Sequence, residues 1–266
     1  MTVKISEDVV FGKSKPFVLI SGPCVIESES HCLFMAEKIK NICCDLNIPY
    51  IFKSSFDKAN RTALNHYRGT SLNNANKIFQ KIKQELDVPI TTDFHEVWQA
   101  NELKGSVDLL QIPAFLCRQT DLLIAAAKTK LPVNIKKAQF VSGYDMEKAV
   151  NKVKLSANNK ILLTERGNVN GYGDFIVDMR NLVIMKDFAP VIFDATHSVQ
   201  KGCSGGSQGS NIKFIEPLCK AAAAIGVSGL FLESHDNPQE ALSDGSSSIK
   251  LSNLKDTLSS ILDLIS

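Results

Sequence analysis

The residues able to do chemistry in this chain recur at one kind of place, the polar end of a short apolar run. Pro49-Tyr50-Ile51-Phe52 reads as a buried strand bounded by a proline, and Lys53, Lys58 and Arg61 follow it with only Asp57 to balance them. Clustered Lys and Arg at a strand exit suit a phosphorylated anion, because they bring fixed positive charge and donors that match phosphate oxygens. A solvated basic loop is the plain alternative for that segment taken alone. The same layout then repeats along the chain, with Cys24, Asp93 and His95, Gln111, Lys136, Arg166, His197 and Glu233 at the ends of other apolar runs. Positions adjoining a core are seldom so polar.

Chemistry sorts these residues into two groups. Lys53, Lys58, Arg61, Lys136 and Arg166 are anion binders. Cys24, His197, Glu233 and Asp244 are candidate metal ligands, since a thiolate, an imidazole and carboxylates together suit a borderline divalent ion such as Zn, Fe, Mn or Co. These ligands come from distant parts of the chain, so no spacing motif supports them. The alternatives are a small buried thiol at Cys24, a hydrogen-bonded strand-end imidazole at His197, and an ion pair between Glu233 and a lysine. His31 falls in a helix and His66 in a loop, and neither receives a role. His95 and His235 stand at strand exits, where they could catalyse or merely support a neighbour.

The elements that must position these residues are eight short strands alternating with helices. The strands are expected at Phe17–Ile20, Pro49–Phe52, Pro89–Thr92, Val107–Ile112, Pro132–Lys136, Lys160–Thr164, Pro190–Asp194 and Ser228–Leu232. Helices are expected at about 29–46, where Met35, Ile39, Ile42 and Leu46 recur at helical spacing, and at 73–86, 121–128, 145–155, 211–225 and 253–264. A polar lead-in over residues 1–16 is expected to form a small hairpin through Phe11-Gly12-Lys13. Strands alternating with helices and no composition break predict one α/β domain over 1–266, a single (β/α)8 TIM barrel. A doubly wound open sheet would more often carry a glycine-rich phosphate turn after its first strand, and Gly22-Pro23-Cys24 is not one. Lys201 to Ser210, rich in Gly and Ser, is expected to be a mobile loop over the site or a tolerant surface loop.

At 266 residues the chain suits one barrel of roughly 250 residues. A formal net charge of +2 argues against a global nucleic-acid footprint, so the basic residues matter locally. Seven scattered cysteines without a CxxC pair point to reduced thiols and a cytoplasmic setting. The first residues lack the layout of a secretory signal, and no apolar run is long enough to span a membrane.

On its motifs the chain resembles the 3-deoxy-D-manno-octulosonate-8-phosphate synthase family over nearly its whole length. The segments that carry the resemblance are Gly22 to Ser28, Phe52 to Arg61, Gln111 to Asp121, Asn134 to Lys137, Thr164 to Gly167, Asp194 to Ser198 and Ser243-Asp244-Gly245. The resemblance implies condensation of phosphoenolpyruvate with D-arabinose 5-phosphate and water, releasing phosphate, on the route to lipopolysaccharide. It implies that Lys136 and Arg166 hold the phosphate of phosphoenolpyruvate, and that Lys53 and Lys58 serve its carboxylate and the reacting centre. Asn60 and Arg61 would bind the pentose, Arg61 at its phosphate. Gln111 and Thr62, whose hydroxyl stands where the family often has serine, belong to the implied substrate contacts. The 113–119 segment crosses a subunit interface in that family, so Arg118 would complete a neighbour's site in a homotetramer.

Family members with cysteine at the position of Cys24 use a divalent ion, and those with asparagine use none. The resemblance therefore implies one divalent ion per subunit on Cys24, His197, Glu233 and Asp244, activating water or polarising the aldehyde. Asp93 and His95 would assist proton transfer. Ser246-Ser247-Ser248 departs from the pattern expected after Asp244-Gly245, which leaves Cys24 as the main carrier of the metal assignment. The alternative enzyme is the related 3-deoxy-heptulosonate-7-phosphate synthase acting on erythrose 4-phosphate, disfavoured by Lys58-Ala59-Asn60-Arg61 where that family has a Lys-Pro-Arg version. A sugar-phosphate-binding barrel without catalysis would leave the thiol, imidazole and carboxylates at the strand exits unexplained.

Overall fold

The computed structural model describes residues 1–12, 17–171, 173–202 and 209–265. In chain order its strands are β1 (Val3–Lys4), β2 (Val10–Phe11), β3 (Val18–Gly22), β4 (Tyr50–Lys53), β5 (Ile90–Asp93), β6 (Leu109–Ile112), β7 (Val133–Lys136), β8 (Ile161–Glu165), β9 (Asn168–Val169), β10 (Phe175–Ile176), β11 (Val191–Asp194), β12 (Gly229–His235) and β13 (Ile249–Lys250). Its α-helices are α1 (Glu29–Asp45), α2 (Leu72–Leu86), α3 (Gln99–Leu103), α4 (Thr120–Lys128), α5 (Met146–Leu155), α6 (Arg180–Lys186), α7 (Ile215–Ile225) and α8 (Leu251–Ile265). Strands β3 to β8 pair in parallel in sequence order, β8 pairs with β11, β11 with β12, and β12 returns to β3. The sheet closes on itself as a (β/α)8 barrel.

Strand periodicity explains where the chemistry goes. Successive side chains point to opposite faces, so Val18, Ile20, Ile51, Leu109, Leu162, Ile192 and Phe231 form one apolar cluster inside the barrel, while Leu19, Phe52, Ile90, Leu110, Val133, Leu163, Phe193 and Leu232 pack outward against the helices. Two residues beyond the interior layer come Lys53, Gln111, Asp194 and Glu233, so the same alternation carries polar side chains to the C-terminal mouth. The helices obey their own period: α2 buries Ala75, Ile78, Phe79 and Ile82, and each large side chain so covered contributes about 1.5–3 kcal/mol. Ser28 and Ser71 cap α1 and α2 by accepting the backbone N–H of His31 and Asn74.

The other end of the barrel is stoppered. β1 and β2 pair antiparallel, Val3 opposite Phe11, and Val3, Val9 and Phe11 join the interior apolar cluster. A Cβ on Gly229 would stand 2.8 Å from the Phe11 ring. The lead-in hairpin is therefore present, but its turn lies at Ile5–Val9, closed by the Ile5 N–H donating to the Val9 carbonyl at 2.9 Å, and not through Phe11-Gly12. Phe11 is a fully buried strand residue, a use that outweighs the turn signal of the glycine after it. Lys13 lies outside the described residues, as does the 203–208 part of the expected loop. The expected 211–225 helix begins with a 3-10 turn at Ile212–Phe214. Helices α3 and α6 and the small β9–β10 ribbon are not among the expected elements, being too short to show a period.

Candidate active site

The strand exits converge on a cavity of 610 Å³ lined by Lys53, Lys58, Asn60, Arg61, Thr62, Asp93, His95, Gln111, Lys136, Arg166, His197 and Asp244. Phe231, from the last apolar interior layer, underlies it: Lys136 Nζ stands 3.7 Å and Lys53 Nζ 5.5 Å from its ring centroid, a desolvated cation–π arrangement. Lys136 Nζ also donates to Asp194 Oδ2 at 2.7 Å. Arg166 lies over the Phe175 ring at 4.9 Å and donates to Gln139 Oε1 and Gln200 Oε1, each at 3.2 Å. Burial pulls both Lys136 and Arg166 below their ordinary pKa, against the opposing pull of Asp194. Two buried cations with few anionic partners make a receptive place for an anion.

Beside them lies the second group. β3 and β4 exit in such close contact that a Cβ on Gly22 would fall 2.1 Å from the Lys53 carbonyl oxygen. Lys53 Nζ donates to Glu233 Oε1 at 2.9 Å and to the Cys24 carbonyl at 3.1 Å. Cys24 Sγ lies within hydrogen-bond distance of Asp244 Oδ2 at 3.2 Å and Ser243 Oγ at 3.1 Å. His197 Nε2 is 3.9 Å from Glu233 Oε1 and 4.0 Å from Asp244 Oδ2. Asp194 accepts from the other side of that ring, its Oδ2 at 2.8 Å from His197 Nδ1, so the Nε2 lone pair faces the carboxylates. Glu233 Oε2 is buried and has no hydrogen-bond partner.

This donor set fits a divalent ion. Cys24, Glu233 and Asp244 can bring one ligand atom each within 4.8 Å of the others, with the His197 Nε2 lone pair on the same side. Burial, with Asp244 and Glu233 nearby, pushes the Cys24 thiol well above its ordinary pKa, so a thiolate here needs a cation to stabilise it. The ion pair expected as the alternative for Glu233 is also real, through Oε1 to Lys53, and it leaves Oε2 free.

Lys58 and Asp93 both line the cavity. Burial alone would lower the Lys58 ammonium, but the carboxylates of Glu233, Asp93 and Asp244 hold it above its usual range. Burial would raise Asp93, but its contact with His95 and the charges of Lys53 and Lys58 hold it well below. His95 Nε2 lies 3.3 Å from Asp93 Oδ2. At the rim, Arg61 Nε donates to the Tyr67 carbonyl at 2.8 Å and Nη2 to the Leu242 carbonyl at 3.2 Å, while Asn60 and Thr62 are exposed. Gln111 is buried, with Oε1 unpartnered. Arg118 is exposed and does not line the cavity of its own chain.

The structure adds participants to which the sequence alone assigns no role. Asp194 orients both His197 and Lys136, and an acidic residue three before a strand-exit histidine is its only sequence signal. Gln139, Gln200 and Ser243 reach the site from loops and carry no such signal.

Residues 1–264 match the model of the DAHP synthetase I family. Among curated relatives, the 2-dehydro-3-deoxyphosphooctonate aldolase of Koribacter versatilis (strain Ellin345) is 52% identical over 260 residues, covering 96% of this chain and 93% of that protein. Proteins of the same name from Campylobacter jejuni (strain RM1221) and Cyanothece sp. (strain PCC 7425 / ATCC 29141) are 50% and 49% identical over 262 residues. They cover 94% and 98% of this chain, and 97% and 96% of their own lengths.

Proposed function

The chain belongs to the DAHP synthetase I family, and from that premise we propose that it condenses phosphoenolpyruvate with D-arabinose 5-phosphate and water to give 3-deoxy-D-manno-octulosonate 8-phosphate and phosphate, for lipopolysaccharide biosynthesis. The observation that carries this reading is the meeting, in one cavity, of the buried cations Lys136 and Arg166 with His197 and Asp244, beside which Cys24 and Glu233 complete the ligand set. Half of the chain's residues are shared with proteins named for the eight-carbon product. The erythrose 4-phosphate alternative is accordingly dropped.

Lys136 and Arg166 bind the phosphate of phosphoenolpyruvate at the cavity floor, where desolvation strengthens each ion pair. Lys53 and Lys58 take its carboxylate, and Lys58, held charged by its acidic neighbours, stays a donor toward the reacting carbon. Gln111 bonds from below. Arg61 holds the pentose phosphate at the rim, with Asn60 and Thr62 on the sugar hydroxyls. Asp93, kept ionised, orients His95 for proton transfer.

One divalent ion per subunit, Zn, Fe, Mn or Co, would be held by Cys24, His197, Glu233 and Asp244. When bound it supplies a Lewis acid that lowers the pKa of water or polarises the aldehyde. The proposal extends to a single catalytic domain over 1–266 and to a homotetramer in which Arg118 reaches a neighbour's cavity. It includes a cytoplasmic setting, with small molecules and not nucleic acid or membrane as partners; no helix among the described residues is long and apolar enough to cross a membrane.

The test is phosphate release from phosphoenolpyruvate with each aldose, before and after chelation. Release with arabinose 5-phosphate that chelation abolishes and Mn²⁺ restores supports the whole reading. Indifference to chelator would remove the metal, and preference for erythrose 4-phosphate would overturn the aldose.

A further inference from the structure

A second cluster of metal-ligating side chains lies outside the cavity and shares no ligand with the set built on Cys24. Glu27 comes from the β3–α1 loop, His31 from the first turn of α1, His235 from the end of β12 and Asp236 from the residue after it. The two imidazole rings are 4.7 Å apart between centroids.

The protons on these rings can be followed atom by atom. Asp236 Oδ1 lies 2.9 Å from His31 Nε2 and accepts its N–H; it also lies 3.1 Å from His235 Nδ1, which itself accepts the Asn237 N–H at 3.0 Å. That leaves a lone pair on His31 Nδ1 facing Glu27, while His235 Nε2 carries its ring's proton and donates to Glu27 Oε1. His235 Nε2 is 3.2 Å from Glu27 Oε1 and His31 Nδ1 is 4.0 Å from Glu27 Oε2. His31 Nδ1 is buried with no hydrogen-bond partner. A cation bound here would take the place of the His235 Nε2 proton, which would move to Nδ1 and be accepted by Asp236 Oδ1. One ligand atom from each of Glu27, His31 and His235 lies within 4.8 Å of the others. Ligands at about 2.0–2.2 Å around a tetrahedral ion stand roughly 3.4 Å apart, close to the 3.2 Å between His235 Nε2 and Glu27 Oε1. A carboxylate behind each metal-bound imidazole is also the usual way its orientation is held.

We propose that Glu27, His31 and His235 bind a second divalent ion of the Zn²⁺ class, with Asp236 orienting both imidazoles. Its role is structural. Glu27 Oε1 also accepts the Leu242 N–H at 2.9 Å, and the Leu242 carbonyl is one of the groups Arg61 holds. The ion would tie the start of α1 to the β12 exit loop, and so steady the segment that carries Asp244. The competing arrangement is a metal-free network in which His235 Nδ1 accepts the Asn237 N–H, 3.0 Å away, and Nε2–H donates to Glu27.

The experiment is metal content by mass spectrometry after the full-length protein is loaded with Zn²⁺ and dialysed. Co²⁺ loading comes next, to report the thiolate-to-metal band that only the Cys24 site can give. The wild type should hold about two Zn²⁺ per chain, and Cys24→Ala and His31→Leu about one each. His31→Leu should keep the cobalt–thiolate band and the turnover rate. Glu27→Gln, which preserves side-chain size, should lose the same ion as His31→Leu and guards against a folding defect in that variant. Equal Zn²⁺ content in wild type and His31→Leu would overturn the proposal. So would loss of the cobalt–thiolate band in His31→Leu, since the sites would then not be separate. A single ion lost only in His31→Leu would sustain this site and sink the one at Cys24.

Discussion

Asp194 grips His197 twice, accepting the backbone N–H through Oδ1 at 3.0 Å and facing ring Nδ1 through Oδ2 at 2.8 Å. The same Oδ2 receives Lys136 Nζ at 2.7 Å. A carboxylate in that position fixes which nitrogen of His197 keeps its lone pair. Asp194→Asn preserves the size but not the charge, and metal affinity should fall by about 10–100-fold. Competition against a chromogenic chelator checks this. An unchanged affinity would mean that His197 needs no orienting partner or binds no metal.

Cys24→Ala should release the cavity's metal and most of the turnover, because no other described thiol lines the site. Metal content and phosphate release measured on the same preparation decide it. Retained stoichiometry at the cavity site would remove Cys24 from the ligand set.

Arg61→Ala should raise KM for arabinose 5-phosphate about 10-fold or more, the worth of a charged hydrogen bond of about 1.5–3 kcal/mol, with a smaller change for phosphoenolpyruvate. Equal changes in both constants would contradict its assignment to the pentose phosphate.

Lys53 and Glu233 form an ion pair out of contact with water, with 2% and 1% of their side chains exposed. Lys53→Met leaves the Glu233 charge without that partner and should cost about 3–5 kcal/mol, read from urea unfolding. A loss below about 1 kcal/mol would show that the pair is not essential to the barrel.

The acid limb of stability rests on buried carboxylates, Glu233, Asp93 and Asp194 foremost. Burial opposes ionisation of Glu233 and Asp93, yet Lys53 and His197 at Glu233, and His95 with Lys53 at Asp93, hold both well below the ordinary carboxylate range. Groups whose pKa is depressed on folding contribute stability that is present above the unfolded-state value, roughly 4, and is lost as pH falls. Asp93→Asn should therefore flatten the fall in stability on the acid side of about pH 4. A variant as acid-sensitive as the wild type would place the protons elsewhere.

Much of this architecture is legible in the sequence because barrel strands are short, apolar and punctuated: Tyr50 to Phe52 then Lys53, or Val191 to Phe193 then Asp194, announce both strand and mouth. Lys53, Lys136, Arg166 and Glu233 stand at those mouths, in or next after a strand, whereas Cys24, Lys58, Arg61, His197 and Asp244 sit in the loops beyond. The supporting partners are hidden. Gln139 and Gln200 meet Arg166 from loops with no periodicity, and Glu27 meets His235 across more than two hundred residues. The lead-in turn differs from its expected place because a glycine is a local signal, whereas the burial of Phe11 is decided by the far end of the barrel.

Phe11 and its hairpin turn the barrel into a cul-de-sac. With Lys136 and Arg166 at the blind end and Arg61 beside the opening, traffic in the proposed reaction has one lane. In the proposed reaction phosphoenolpyruvate would then enter first, the aldose would seat above it, and the phosphate set free below would leave after the product.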